Sequence, residues 1–201
     1  VIDRVVEMHR VSVKEALAIL ASGFAGSVPS RASLPGFGAP AGEKEKDMGL
    51  EVVDVREVQH PALIQYLTSR CIDTPLARRW LKELRYRGTG ELKAFFALGF
   101  ACGGGFDARS PVFKGFVGTG KDISRIAFDD KGTVAVFEGV FDFLSWLATR
   151  ELVEPDCGVV ILHSAALRRR ALDAITAHGF GRVLLFLDHD QAGRDATRFF
   201  V

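Results

Sequence analysis

The chain has 201 residues, 48% of them apolar, and a formal net charge of +1. That length suits one substantial domain, or a domain with an appendage. The near-zero charge excludes a globally basic nucleic-acid binder, so any basic surface must be local. Cys71, Cys102 and Cys157 are odd in number and lack zinc spacing; they argue against a disulfide framework and for a reduced, cytoplasmic protein. No apolar run nears the ~20 residues of a membrane span, so no membrane contact is expected.

Residues 1–21 read as an N-terminal helical segment. Val1, Ile2, Val5, Val6 and Met8 make one apolar stripe, and Ser12 can cap the run that follows. Residues 22–48 hold Gly, Pro, Ser and Ala and then alternating Glu and Lys, the composition of a flexible linker. Residues 49–130 form the next unit. A strand is predicted at Leu50–Val55, and helices at 61–70 and 74–84, with Pro61 in the first turn of one, Thr74 as N-cap of the other and Pro75 behind it. From Phe95 to Phe128, short apolar pieces separated by glycines predict a small, twisted antiparallel sheet.

Basic residues outnumber acidic ones between positions 70 and 121. Arg70, Arg79, Lys93, Arg109, Lys114 and Lys121 are the candidates for holding nucleic acid, with Trp80, Tyr86 or Phe106 available for stacking. The blander alternative is a solvated helix face over 78–87. Gly115-Phe-Val-Gly-Thr-Gly-Lys121 imitates a phosphate-binding loop, but Asp122 replaces the expected Ser or Thr, and the residues beyond alternate like a strand rather than opening a helix.

From Thr133 the pattern is βαβαβα: strands at 133–138, 158–162 and 183–187, helices at about 141–152, 165–178 and from about 193, with Gly179 as a C-cap. Two of the apolar runs end in carboxylates followed by a glycine: Thr133-Val-Ala-Val-Phe-Glu-Gly139, and Val183-Leu-Leu-Phe-Leu-Asp-His-Asp190 with Gly193 beyond. On an extended chain Asp188 and Asp190 face one way, and such a pair calls for a hard cation with oxygen ligands, such as Mg²⁺. His189 would face the other way and pack into the sheet. In open parallel sheets, sites form beyond the carboxyl ends of the strands. If these two strands are neighbours, Glu138, Asp188 and Asp190 converge, with Asp142 one helical turn from Glu138. The alternative is that these acids cap the helices that follow. Leu-Phe-Leu-Asp-His-Asp also imitates the nucleophile strand of haloacid-dehalogenase-type phosphatases, but Ala192 stands where that motif needs Thr or Val.

Glu138-Gly139 with Asp142, then Asp188-x-Asp190 with Gly193 and Ala196, resembles the Toprim domain of bacterial primases, topoisomerases, small nucleases and recombination proteins. Phe-Glu-Gly-Val-Phe-Asp-Phe-Leu looks most like the bacterial primase branch. Val-Ser-Val-Lys-Glu-Ala-Leu resembles the segment after a primase zinc ribbon, which implies an upstream zinc module. Tyr-Leu-x-x-Arg-x-Ile and its second helix resemble the N-terminal part of the primase core. The Gly-Phe-x-x-Gly-Gly…Arg…Phe-Lys-Gly…Lys-Asp-Ile-Ser order is similar to Toprim proteins of Bacteroidetes mobile elements.

The fold implied is α/β, a Toprim-type parallel sheet with flanking helices, preceded by a small mixed α+β primase-core subdomain. The Toprim part is expected over 131–201 and, lacking the family's further acidic strand before Val201, incomplete at its C-terminus. The resemblance implies metal-dependent synthesis of short RNA primers on single-stranded DNA from ribonucleoside triphosphates, in replication or mobile-element transfer. Mg²⁺ or Mn²⁺ would be held by Asp188 and Asp190, with Glu138 as a further ligand or general acid/base and Asp142 beside them. A replicative helicase is an expected partner. A Toprim metal-dependent nuclease and a non-catalytic DNA-binding accessory module are the alternatives.

Overall fold

The computed structural model describes residues 49–129 and 132–201, which belong to a unit of the chain beginning at Asp47. The helical segment expected at 1–21 and the linker expected at 22–48 lie outside the described residues. Two sheets carry the described part. The first is antiparallel, with β1 (Leu50–Arg56), β2 (Lys82–Gly88), β3 (Phe95–Cys102), β4 (Gly104–Ser110) and β5 (Phe113–Thr119) in sequential order. Between β1 and β2 lie α1 (Pro61–Ser69) and α2 (Thr74–Trp80). The second sheet runs β6-β8-β7-β9, built from β6 (Ser124–Ile126), β7 (Thr133–Phe137), β8 (Gly158–Ile161) and β9 (Arg182–Phe186). Its last three strands are parallel, and β6 adds an antiparallel edge beside β8. The helices α3 (Val140–Thr149), α4 (Arg168–His178) and α5 (Gln191–Phe200) follow its strands, and a short 3₁₀ turn at Ala165–Leu167 leads into α4.

The runs of β7 and β8 behave as buried parallel strands because both faces are covered, whereas β9, at the sheet edge, leaves Val183 and Phe186 exposed. Ala135, Phe137, Val159 and Ile161 enter one core, and the intervening Val134, Val136, Val160 and Leu162 enter another with Ala171 and Ile175 of α4. α3 forms because Val140, Phe143, Leu144 and Leu147 make one stripe at helical spacing, all but Val140 fully buried. The first of these cores also takes Leu63 and Leu67 of α1 and Leu98 and Phe100 of β3, so the antiparallel and parallel parts share one interior. A third cluster, Leu84, Tyr86, Ala97, Ala108 and Val117, fills the antiparallel sheet.

Three expectations need correction. The helix predicted at 74–84 ends at Trp80, has Asp73 rather than Thr74 at its N-cap position, and gives way to β2 at Lys82. Leu84 and Tyr86 alternate into the third cluster while Glu83 is locked on the other face, and a seven-residue helix has little stability of its own to resist that pull. The 3₁₀ turn delays the next helix from 165 to Arg168, whereas its end is as read: Gly179 takes φ 81° as the left-handed C-cap. The last helix begins at Gln191 rather than 193, because Asp190 provides the cap. The imitation phosphate loop begins within β5, ends just beyond it, and leads to β6, not to a helix.

Candidate active site

β7 and β9 are hydrogen-bonded neighbours, with Phe137 in register with Phe186. Their carboxyl ends therefore open side by side. The ladder continues one step, the Glu138 N–H donating to the Phe186 carbonyl at 3.2 Å. The Asp188 N–H then donates to Glu138 Oε2 at 3.1 Å, tying the two acidic segments together. On the α3 side, Asp142 Oδ2 accepts the Gly139 N–H at 3.1 Å. On the α5 side, Asp190 Oδ1 accepts the Gly193 N–H at 2.8 Å. Gly193 is required by close approach: a Cβ there would lie 1.8 Å from the Asp188 carbonyl oxygen.

The electrostatics follow from this crowding. Desolvation pushes the Glu138 carboxyl above its ordinary value; the Asp188 N–H opposes this, and the charges of Asp188, Asp190 and Asp142 add to it. Asp142 is raised by desolvation and then by Asp188, although its side chain reaches solvent, with Arg109 and Arg70 pulling the other way. Hard carboxylate oxygens held near one another in this way suit a divalent cation chemically. Among the described residues, however, no three of His, Cys, Asp and Glu gather into a preformed metal cluster. Asp142 and Asp190 also perform the capping that the blander alternative assigned them.

The basic candidates disperse. Arg70, at the C-cap of α1, and Arg109, on β4, reach the acidic edge, where both act on Asp142. Lys114 stands across the β4–β5 ladder from Arg109. Arg79 pairs with Glu154, Lys93 lies over the Phe95 ring at 5.2 Å, and Lys121 lies 6.0 Å from the Phe116 ring. Tyr86, offered for stacking, is 4% exposed and belongs to the interior. Trp80 packs edge-on against Phe143 at 5.1 Å and donates its indole N–H to the Val153 carbonyl. His189 is exposed rather than packed into the sheet, because β9 has ended at Phe186 and the alternation no longer applies.

Sequence reasoning missed one constellation at this edge. His163 follows β8, the remaining parallel strand, and has a φ of 58°. Its Nδ1 lies 3.0 Å from Asp107 Oδ2, and its Nε2 lies 2.9 Å from Ser124 Oγ. The available signal was positional: a polar residue just beyond the carboxyl end of a buried strand.

Residues 135–200 match the Toprim-like family, and residues 52–118 match a family described as a Domain of unknown function (DUF8464). No curated protein matches the chain. Among solved structures, the primase fragment of the bacteriophage T7 primase-helicase protein is similar with a TM-score of 0.51 at 17% identity, over 81% of this chain and 67% of that one. The Toprim-like stretch contains the acidic edge, and the wider fold is similar to that of a primase fragment.

Proposed function

We propose that the protein is a primase-like nucleotidyltransferase that makes short RNA primers on single-stranded DNA from ribonucleoside triphosphates. The observation that carries this is that β7 and β9 end side by side, with Glu138 bonded to the Asp188 N–H, the charges of Asp142, Asp188 and Asp190 acting on Glu138, and Arg70 and Arg109 from the preceding subdomain acting on Asp142. Acids and arginines close together at one edge suit phosphoryl transfer, which needs positioning and charge compensation more than covalent help.

Asp188 and Asp190 would hold Mg²⁺ or Mn²⁺, with Glu138 and Asp142 beside them; when bound, such an ion neutralises charge at the phosphates and at the attacking hydroxyl. Arg70 and Arg109 orient the triphosphate. Glu138 has Oε2 engaged by the Asp188 N–H, which leaves Oε1 for the proton of a primer 3′-hydroxyl. Its raised affinity for a proton suits that role. Lys114, beside Arg109, extends the cationic surface along which a template strand would run. Replication or mobile-element transfer, a cytoplasmic setting and a helicase partner belong to the same proposal.

The test is primer synthesis on single-stranded templates with labelled ribonucleotides and Mg²⁺ or Mn²⁺. Wild-type protein yields short RNA, and Asp188→Asn and Asp190→Asn yield none while remaining folded. Full activity in both variants refutes the assignment. Plasmid nicking without nucleotides would favour a Toprim nuclease using the same edge. The capping by Asp142 and Asp190 favours, as second reading, a DNA-binding accessory module; DNA binding that survives EDTA with no polymerisation would select it.

A further inference from the structure

His163 sits where the two sheets meet. Its side chain is fully buried, it follows β8 of the parallel sheet, and its partner Asp107 belongs to β4 of the antiparallel sheet. A carboxylate only accepts, so the ring Nδ1–H donates to Asp107 Oδ2, and Nε2 shares a hydrogen bond with the Ser124 hydroxyl. The ring is thus held at both nitrogens, and the backbone holds it at a φ of 58° that few side chains adopt. Asp107 is itself 6% exposed, and its second oxygen lies 3.8 Å from Arg109 Nε. Arg109 Nε is buried without a hydrogen-bond partner among the described residues. The far end of that guanidinium abuts the first turn of α3: a Cβ on Gly139 would lie 3.7 Å from Arg109 Nη2 and 3.1 Å from Asp142 Oδ2.

These contacts make a chain from the end of β8, through Asp107, to the arginine at the acidic edge. We propose that His163 is a positioning residue: by fixing Asp107 it holds Arg109 beside Asp142, aimed at the phosphates of a nucleoside triphosphate. The ligand rests on the primase-type function above; the placement of Arg109 does not. A positively charged side chain flanked by Asp107 and Asp142 would otherwise swing toward either acid or into solvent. Freezing Asp107 from behind selects one position, and preorganisation of this kind is what separates a binding cation from a mobile one.

The left-handed φ supplies the test. Asn and Gly both tolerate it, but only Asn retains an N–H near the position of Nδ1. His163→Asn should keep Arg109 in place and His163→Gly should not. The direct readout is the Arg109 Nε–Hε resonance in a ¹H–¹⁵N spectrum, sharp and slowly exchanging in the wild type and in His163→Asn, and shifted or lost in His163→Gly. ATP affinity should follow it, falling about tenfold in His163→Gly, the effect of one weakened charge-assisted contact. An unmoved Arg109 resonance in His163→Gly overturns the proposal. If that variant does not fold, Asp107→Asn turns an amide N–H toward Arg109 and must move the same resonance; no movement there also overturns it. Resonances that behave as expected in a protein that binds no ATP keep the positioning and refute the primase-type function instead.

Discussion

Asp190 performs two tasks that substitution can separate. Its Oδ1 caps α5 through the Gly193 N–H, and its charge contributes to the raised protonation of Glu138. Asp190→Asn keeps a carbonyl oxygen for the cap and removes the charge, whereas Asp190→Ala removes both. Losing an N-cap to alanine costs about 1 kcal/mol. For a chain of this size that lowers the melting midpoint by about 3 °C. Asn, an equally good cap, should leave the midpoint within about 1 °C.

Metal should separate the variants differently. A divalent ion at a hundred times its Kd stabilises the state that binds it by about 2.7 kcal/mol, or about 8 °C on the same scale. Wild-type protein should show a shift of that order with Mn²⁺, and Asp190→Asn and Asp188→Asn should lose most of it. Thermal unfolding followed by circular dichroism, with and without Mn²⁺, reads both effects in one series. If Asp190→Asn keeps the whole Mn²⁺ shift and only Asp190→Ala loses stability, Asp190 is a helix cap alone and the metal site proposed here is wrong.

Gly193→Ala should disturb the same edge from beneath, since the added carbon would meet the Asp188 carbonyl at 1.8 Å. It should abolish the Mn²⁺ shift even though every carboxylate remains, and an intact shift would count against the geometry. Glu138 and Glu83 should give pH dependences of opposite sign. Glu138 binds its proton more tightly folded than unfolded, so its contribution to stability falls as pH rises from its ordinary 4.5 through its raised folded value; Glu138→Gln should remove that slope from urea midpoints measured across pH. Burial pushes Glu83 up, but hydrogen bonds from the Gln59 N–H, Arg56 and the His60 N–H outweigh it and hold it below 4.5; its stabilisation is present above 4.5 and is lost as pH falls through the depressed folded value. Glu83→Ala leaves the Gln59 and His60 N–H groups without their acceptor and should cost about 3 kcal/mol in chemical unfolding; a cost under about 1 kcal/mol would mean water replaces the carboxylate. Phe143→Ala, at a fully buried position against Phe137 and Trp80, should cost about 3–5 kcal/mol by the same measurement.

The strands of the parallel sheet were legible because each is a short apolar run, and the structure places each within a residue or so of its expected limits; burial on both faces holds for β7 and β8 but not for β9 at the sheet edge. The acids were legible as strand-end residues. Their second use was legible too: Asp190 and Asp142 cap helices as the competing expectation held. The helix at 74–84 was misjudged because Lys82-Glu-Leu has helical propensity, and only the partners of Glu83 and Leu84 make it a strand. Tyr86 and His189 were misplaced for related reasons: one alternates inward on an unforeseen strand, the other follows a strand that ends early.

By itself the sequence determined what is local: the period of each strand, the stripe of α3, the left-handed glycine that ends α4, and the acids that follow β7 and β9. These depend on neighbours a few residues away, whose chemistry is written consecutively. Tertiary structure alone decided which strands stand side by side, that Arg70 and Arg109 rather than Lys93 or Arg79 meet the acids, and that His163 finds Asp107 and Ser124 across separations of 56 and 39 residues. Such pairings follow from register and shared burial, where one buried polar group must find another and the sequence carries no spacing rule that says which.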